Sequence, residues 1–231
     1  MQLDLLTLNL WDLPWPVSRA RGRRLPRAFD WLRGRHDVVG LQELWRKRPP
    51  LFDRPLFHRP EAGLGLLAHG LGETRYHPFR ARRGVERFKR KGVLAAVLDE
   101  LDVVVGVLHT QAGSPYGRIR REQLEEADGW MRDLAGRRPI VLMGDVNLDD
   151  SRADDRDTAT WMERRGWQDV HPDEPTFAPC NPWVSKAHGA RLDRIYLLDG
   201  DRPLVAEHAE VVLKHEPVSD HYGLHALVRV G

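Results

Sequence analysis

The sequence predicts an α/β fold of two packed β-sheets with helices outside them, and three observations carry that prediction. Short runs rich in Val, Leu and Ile outnumber stretches of helical periodicity by nine to three. These runs occur both as hairpin pairs and as strand-helix-strand units. No linker, internal repeat or low-complexity segment divides the 231 residues, so a single domain over 1–231 with one substantial core is expected.

The strand candidates are residues 3–8, 38–41, 64–68, 93–98, 103–108, 140–143, 192–197, 209–213 and 223–228. The helical patterns are 26–33, 158–165 and 119–134, the last with Leu124, Ala127, Met131 and Leu134 on one face. Asp99-Glu100-Leu101-Asp102 reads as a hairpin turn. Residues 169–191, with prolines at 172, 175, 179 and 182, form the longest expected loop, and long loops in compact domains often carry function.

Composition narrows the function classes. A hydrophobic fraction of 41% with 30% charged residues is that of a folded globular chain rather than a disordered one. The net charge of +2 gives no overall basic field of the kind many nucleic-acid binders use. Locally the balance differs: residues 19–27 hold five arginines and 80–91 seven basic residues, whereas 145–157 is mainly acidic. Cys180 is the only cysteine, which excludes an intramolecular disulfide. The opening stretch MQLDLLTLNLW reads as a strand rather than a signal peptide, and no apolar run reaches the roughly 20 residues of a membrane span. A cytoplasmic monomer without a stable protein partner is the expectation.

The informative feature is what stands at the strand ends. The first strand runs into Asn9, the second into Gln42-Glu43, 103–108 into His109, and 140–143 into Asp145 and Asn147. Asp193 sits at the start of its strand, and Asp220-His221 just before the last one. Each residue alone suits a turn, a cap or a surface ion pair. Together, carboxylates gathered at one rim without cations are strongly unfavourable, so a metal ion is expected among Glu43, Asp145 and Asp220. Oxygen ligands without clustered thiols suit Mg²⁺, with Mn²⁺ as substitute, and Mg²⁺ completes its octahedron with water and substrate phosphate. Phosphoryl chemistry follows. His221 is the candidate base, oriented by Asp193, while Asn9, Asn147 and His109 are candidate donors to developing negative charge. Ser219 lacks the surroundings of a nucleophile elbow.

The order of motifs, "TLNLW", "LQELW", "VLHTQA", "GDVNLD", "RLDRIYL" and "SDHYGL", resembles the endonuclease/exonuclease/phosphatase superfamily with its DNase I-like fold, over residues 3–228. The resemblance implies a four-layer α/β/β/α sandwich and Mg²⁺ held principally by Glu43 with help from Asn9. It implies that His221, paired with Asp193, activates water or else ligates metal. It further implies that Asp145 and Asn147 orient nucleophile or phosphate and that His109 assists at the phosphate or leaving group. "NLWDLPWP", "RKGVLAAVL", "HTQA" followed by Arg120 and Gln123, and "TFAPCNPW" are more similar to the sphingomyelinase branch than to a plain nuclease. They add Trp11, Lys91 and Asn181 as candidate substrate contacts, with Trp11, Trp15 and Trp183 as a candidate aromatic wall for a choline-like cation.

The expected activity is therefore metal-dependent hydrolysis of a lipid or small head-group phosphodiester. The long apolar hairpin and signal peptide of secreted sphingomyelinases are not identifiable here. A nuclease acting on DNA or RNA is the alternative, favoured by the basic runs and opposed by the near-neutral net charge. A catalytically silent binding module is a further alternative, opposed by the intact acid, amide and histidine set.

Overall fold

A computed structural model describes residues 1–50, 52–185 and 188–231. In chain order the elements are β1 (Gln2–Asn9), α1 (Arg21–Leu32), β2 (Val38–Gln42), β3 (Leu56–Arg59), β4 (Leu64–Ala68), β5 (Leu71–Pro78), β6 (Gly92–Leu98), β7 (Val103–His109), α2 (Gly117–Ala135), β8 (Ile140–Asp145), α3 (Ala153–Arg164), β9 (Gln168–Val170), β10 (Asp193–Leu198), β11 (Leu204–Val212) and β12 (Gly223–Val230). They build two six-stranded mixed sheets, ordered β11-β12-β1-β2-β4-β3 and β5-β6-β7-β8-β10-β9.

Strand alternation sorts the apolar residues into layers. Leu3 and Leu5 of β1 point between the sheets, where they join Val38, Leu64, Leu94, Val105, Val141 and Ile195. Leu6 and Leu8 point outward with Val39 and Leu41 and are covered by Leu25, Ala28, Phe29 and Leu32 of α1. On the far side of the second sheet, Leu124, Ala127 and Met131 of α2 and Met162 of α3 cover Val93, Val104 and Leu142. The predicted four-layer α/β/β/α sandwich results. Gly40 lets the sheets close up, since a Cβ there would stand 3.1 Å from both Met143 Cγ and Val107 Cγ2.

The predicted hairpin turn at 99–102 joins β6 and β7 as expected. The elements that differ from the sequence reading are mostly sheet edges. β3, β5 and β9 were not expected as strands. All three are edge strands, short or polar on their free side, and so lack the apolar run that marks a central strand. β11, also an edge, begins five residues before its predicted start because Val205–His208 face solvent. α1 begins five residues before Pro26, which sits inside the helix rather than opening it. α3 likewise gains a polar first turn, where Asp154 and Asp155 complement the helix dipole. Among the described residues no helix is long and apolar enough to cross a membrane.

Candidate active site

Register explains why the polar strand ends meet. β1 and β2 run parallel with Asn9 opposite Gln42, which puts Glu43 one residue beyond the end of the first sheet. In the second sheet β7 and β8 run parallel with His109 opposite Asp145, and antiparallel β10 places Asp193 opposite Asp145 on the other side. β12 lies antiparallel to β1 with Leu224 opposite Thr7, so Asp220-His221 arrive beside the same rim. Gly144 is required there: its φ is +145°, and a Cβ would fall 2.0 Å from the Leu108 carbonyl oxygen.

Asp145 is the hub. Its Oδ2 accepts a 3.0 Å hydrogen bond from Asn9 Nδ2 across the two sheets, and its Oδ1 accepts from the Asn147 backbone N–H at 3.1 Å. His109 Nε2 lies 3.4 Å and His221 Nε2 3.9 Å from Oδ2. His221 Nδ1 meets Asp193 Oδ2 at 2.7 Å, which fixes the ring and its tautomer. Asp145, Asp193 and His221 thus bring one ligating atom each within 4.8 Å of one another. Burial alone would lower the His221 pKa, but Asp193, Asp145 and Asp220 around it win and carry it up to about 10. Burial pushes Asp145 the other way for an acid, up to about 6, against the pull of His221.

Glu43 stands outside that tight cluster. Its backbone is left-handed at φ 54°, and its side chain is almost wholly buried. Burial raises its pKa to about 7, although Lys89 and Lys91 pull it down, and Asp220 and Asp145 add to the rise. Its Oε2 is buried without any hydrogen-bond partner among the described residues. A buried carboxylate oxygen lacking a donor, with further carboxylates near enough to repel it, fits a hard divalent cation. Glu43 can hold such an ion. Asn9 is adjacent, its Oδ1 also accepting the Trp11 N–H at 2.9 Å. Asp220 is half-buried, its pKa raised by burial, and its Oδ1 accepts from Ser219 Oγ at 3.2 Å.

Of the candidate substrate contacts, Lys91 and Asn181 are buried and Trp11 is half-buried. Lys91 is 1% exposed. Its Nζ donates to Glu86 at 2.9 Å, to the Thr110 carbonyl at 2.6 Å and to His109 Nε2 at 2.9 Å. His109 Nε2 therefore accepts rather than donates, and burial followed by the Lys91 charge holds its pKa well below 6.5. Asn181 Nδ2 donates to the carbonyls of Ser219 and Asp220 at 2.9 and 3.2 Å, which holds the segment that carries His221. The aromatic wall already contains a cation of the protein's own: the Arg24 guanidinium lies 4.7 Å from the Trp11 ring centre and 5.7 Å from that of Trp183. Trp15 by contrast is exposed.

Several residues of the site escaped sequence reading. Glu86 anchors Lys91 and accepts from the Ala112 N–H. Thr176 Oγ1 accepts from the N–H groups of Leu192 and Asp193. Arg24 donates to the carbonyls of Leu10, Trp11 and Val218, joining the loop after β1 to the one before His221. Glu86 and Arg24 carry no local motif, and Thr176, the first residue of "TFAPCNPW", acts on Leu192 and Asp193, 16 and 17 residues further on. A recess beside Asn147, lined by Phe177, Leu192, Arg152 and His188, opens next to the cluster.

Residues 6–221 match the model of the Endonuclease/Exonuclease/phosphatase family. Among solved structures the chain is similar to D. rerio TDP2 complexed with a single-strand DNA product, at TM-score 0.75 and 19% identity over 99% of both chains. It is similar to SmcL at 0.74 and 17%, again over 99% of both. It is also similar to a Staphylococcus aureus beta toxin mutant with bound magnesium ions, at 0.72 and 15% over 98% of this chain and 99% of that one. At such identities the likeness establishes the fold. No curated protein matches the chain. The family match spans both sheets and every polar strand end described above, and the chain belongs to the Endonuclease/Exonuclease/phosphatase family of metal-dependent phosphodiesterase hydrolases.

Proposed function

We propose that this protein is a Mg²⁺-dependent phosphodiesterase that cleaves a phosphodiester presented by a lipid. The observation that carries the lipid assignment is the rim. Trp15 is 83% exposed and Val17 57% on the loop pinned to Glu43, while Val85 is 81% and Phe88 78% exposed on the segment that supplies Glu86 and Lys89. Exposed Arg19, Arg23, Arg83, Arg87 and Arg90 accompany them. Apolar side chains that enter an interface, flanked by cations that meet phosphates, suit a lipid surface.

In this reading Glu43 holds the cation, with Asn9 and Asp220 beside it. The bound cation supplies charge neutralisation at the phosphate and eases deprotonation of water. Asn9 and Asn147 keep Asp145 oriented toward the reacting centre. Asp193 fixes His221 so that Nε2 is the atom that moves a proton. Surrounded by three carboxylates alone, that atom keeps its proton at neutral pH, and positive charge compensating those carboxylates frees it to act as a base.

A nuclease is the second reading, supported by the Arg87 guanidinium 4.7 Å from the Phe88 ring centre in a basic segment, a combination that also suits single-stranded nucleic acid. One experiment separates them: turnover of sphingomyelin or lysophospholipid vesicles and of single-stranded DNA, each with Mg²⁺ and over a range of salt. Lipid turnover with little DNA cleavage is expected. Salt-sensitive DNA cleavage with no lipid turnover would replace the lipid reading with the nuclease.

A further inference from the structure

The outer face of the first sheet carries a second cluster of ligating side chains, at the end of β1 opposite Asn9 and about 17 Å from it along the strand. Asp4 Oδ1 meets His36 Nδ1 at 2.6 Å and His225 Nε2 at 2.9 Å, and the two imidazole rings lie 5.0 Å apart. Asp4, His36 and His225 each bring one ligating atom within 4.8 Å of the others, and His208, Glu210 and His225 do the same around the shared His225. Four elements contribute: Asp4 from β1, His225 from β12, His208 and Glu210 from β11, and His36 from the turn after α1.

Hydrogen bonding with neutral imidazoles leaves this cluster incomplete. His225 faces a carboxylate on both ring nitrogens, Asp4 Oδ1 on one side and Glu210 Oε1 at 3.2 Å on the other, so a neutral imidazole can donate to only one of them. A single oxygen of Asp4 serves two rings. The His36 side chain is 10% exposed, its Nε2 is buried without a partner, and its backbone is left-handed at φ 60°. Asp37 adds a third carboxylate, accepting the Asp4 N–H at 2.9 Å. The nearby Arg54 guanidinium is committed to the carbonyls of Leu32 and Arg35.

We infer that Asp4, His36 and His225 form a second metal site, distinct from the catalytic rim, that takes a borderline-soft divalent cation of the Zn²⁺ class. Two imidazoles and one carboxylate are ligands such an ion prefers and Mg²⁺ does not. Glu210 against the far nitrogen of His225 is the carboxylate that orients a metal-bound histidine. The Asp4 side chain, 35% exposed, leaves an entry path and room for a solvent ligand. Binding at the ring nitrogens that face Asp4 shifts each imidazole proton to the far nitrogen, where Glu210 Oε1 accepts that of His225. The ion ties the first strand, the last strand and the exit of α1 together, so its effect is on stability.

The test is a Zn²⁺ titration of the chelator-treated protein in saturating Mg²⁺, followed by calorimetry and by the visible spectrum of a Co²⁺ substitute. Thermal unfolding with and without Zn²⁺ completes it. His221→Ala, which removes the catalytic imidazole that could itself take Zn²⁺, should still bind one ion and show the rise in Tm. His36→Asn, which keeps a residue at ease with positive φ, and His225→Gln should each weaken binding at least tenfold. Glu210→Gln, a change at a half-exposed side chain, should weaken it by about tenfold. Absence of Zn²⁺ binding under these conditions would overturn the assignment. So would binding that vanishes in His221→Ala but persists unchanged in His36→Asn and Glu210→Gln.

Discussion

The side-chain amide of Asn9 donates to the Asp145 carboxylate at 3.0 Å, and through this bond the two sheets meet at the candidate active site. Asp145 is buried and already pushed toward its neutral form by that burial. Asn9→Ala removes a donor that a buried carboxylate needs, so it should cost ~1–3 kcal/mol of stability as well as activity. Urea denaturation measures the first and phosphodiester turnover the second. A variant with wild-type stability would show that Asp145 finds another donor.

Glu43 gives a pH dependence of definite sign. In the metal-free protein its pKa rises from 4.5 to about 7, so between those values the folded state holds a proton the unfolded chain has released. The stability from that proton is complete below the unfolded value and is lost as pH rises through the folded one. Glu43→Gln escapes the loss. In chelator, its stability relative to wild type should therefore improve between about pH 5 and about pH 8. An unchanged difference at the two pH values would mean that Glu43 is solvated or paired in solution.

Asp193 and His221 should behave as a unit. Asp193→Asn and His221→Ala are each expected to lower kcat by at least ~10²-fold. Their combination should cost far less than the product, because once either is lost the other has no partner to act through. Full additivity in the double variant would separate their roles.

The exposed rim predicts a split between substrates. Trp15→Ala combined with Phe88→Ala should lower the ratio of vesicle to soluble-diester turnover by about tenfold or more, since each large apolar side chain contributes roughly 1.5–3 kcal/mol when buried. Equal losses on both substrates would place these residues in folding rather than in docking.

Much of this site was legible because it stands on central strands. Apolar runs such as residues 140–143 mark those strands plainly, and the acids, amides and histidines that follow them are conspicuous in sequence. That Asn9, His109, Asp145, Asp193 and His221 come together follows from strand register. The ordered resemblance implied that these residues act together, but the register that gathers them was not readable from any one motif. What stayed hidden depends on long-range contact. Lys91 carries an ordinary surface residue's signature, yet Glu86 and His109 bury it. Arg24 lies in a run of solvated arginines, yet it alone turns inward to five acceptors. The exposed Val85 and Phe88 are too short an apolar segment to stand out among basic neighbours, so the rim became visible only with the fold.

Hydrolysis of bis-p-nitrophenyl phosphate by chelator-treated protein, with Mg²⁺ added back to the wild type and to Glu43→Gln, tests the central claim most directly. The structure predicts that the wild type is silent in chelator and restored by Mg²⁺, and that the folded Glu43→Gln variant stays at least ~10²-fold below it at the same Mg²⁺ concentration. Turnover that persists in chelator, or a Glu43→Gln variant restored to the wild-type rate by the same Mg²⁺, would contradict the account.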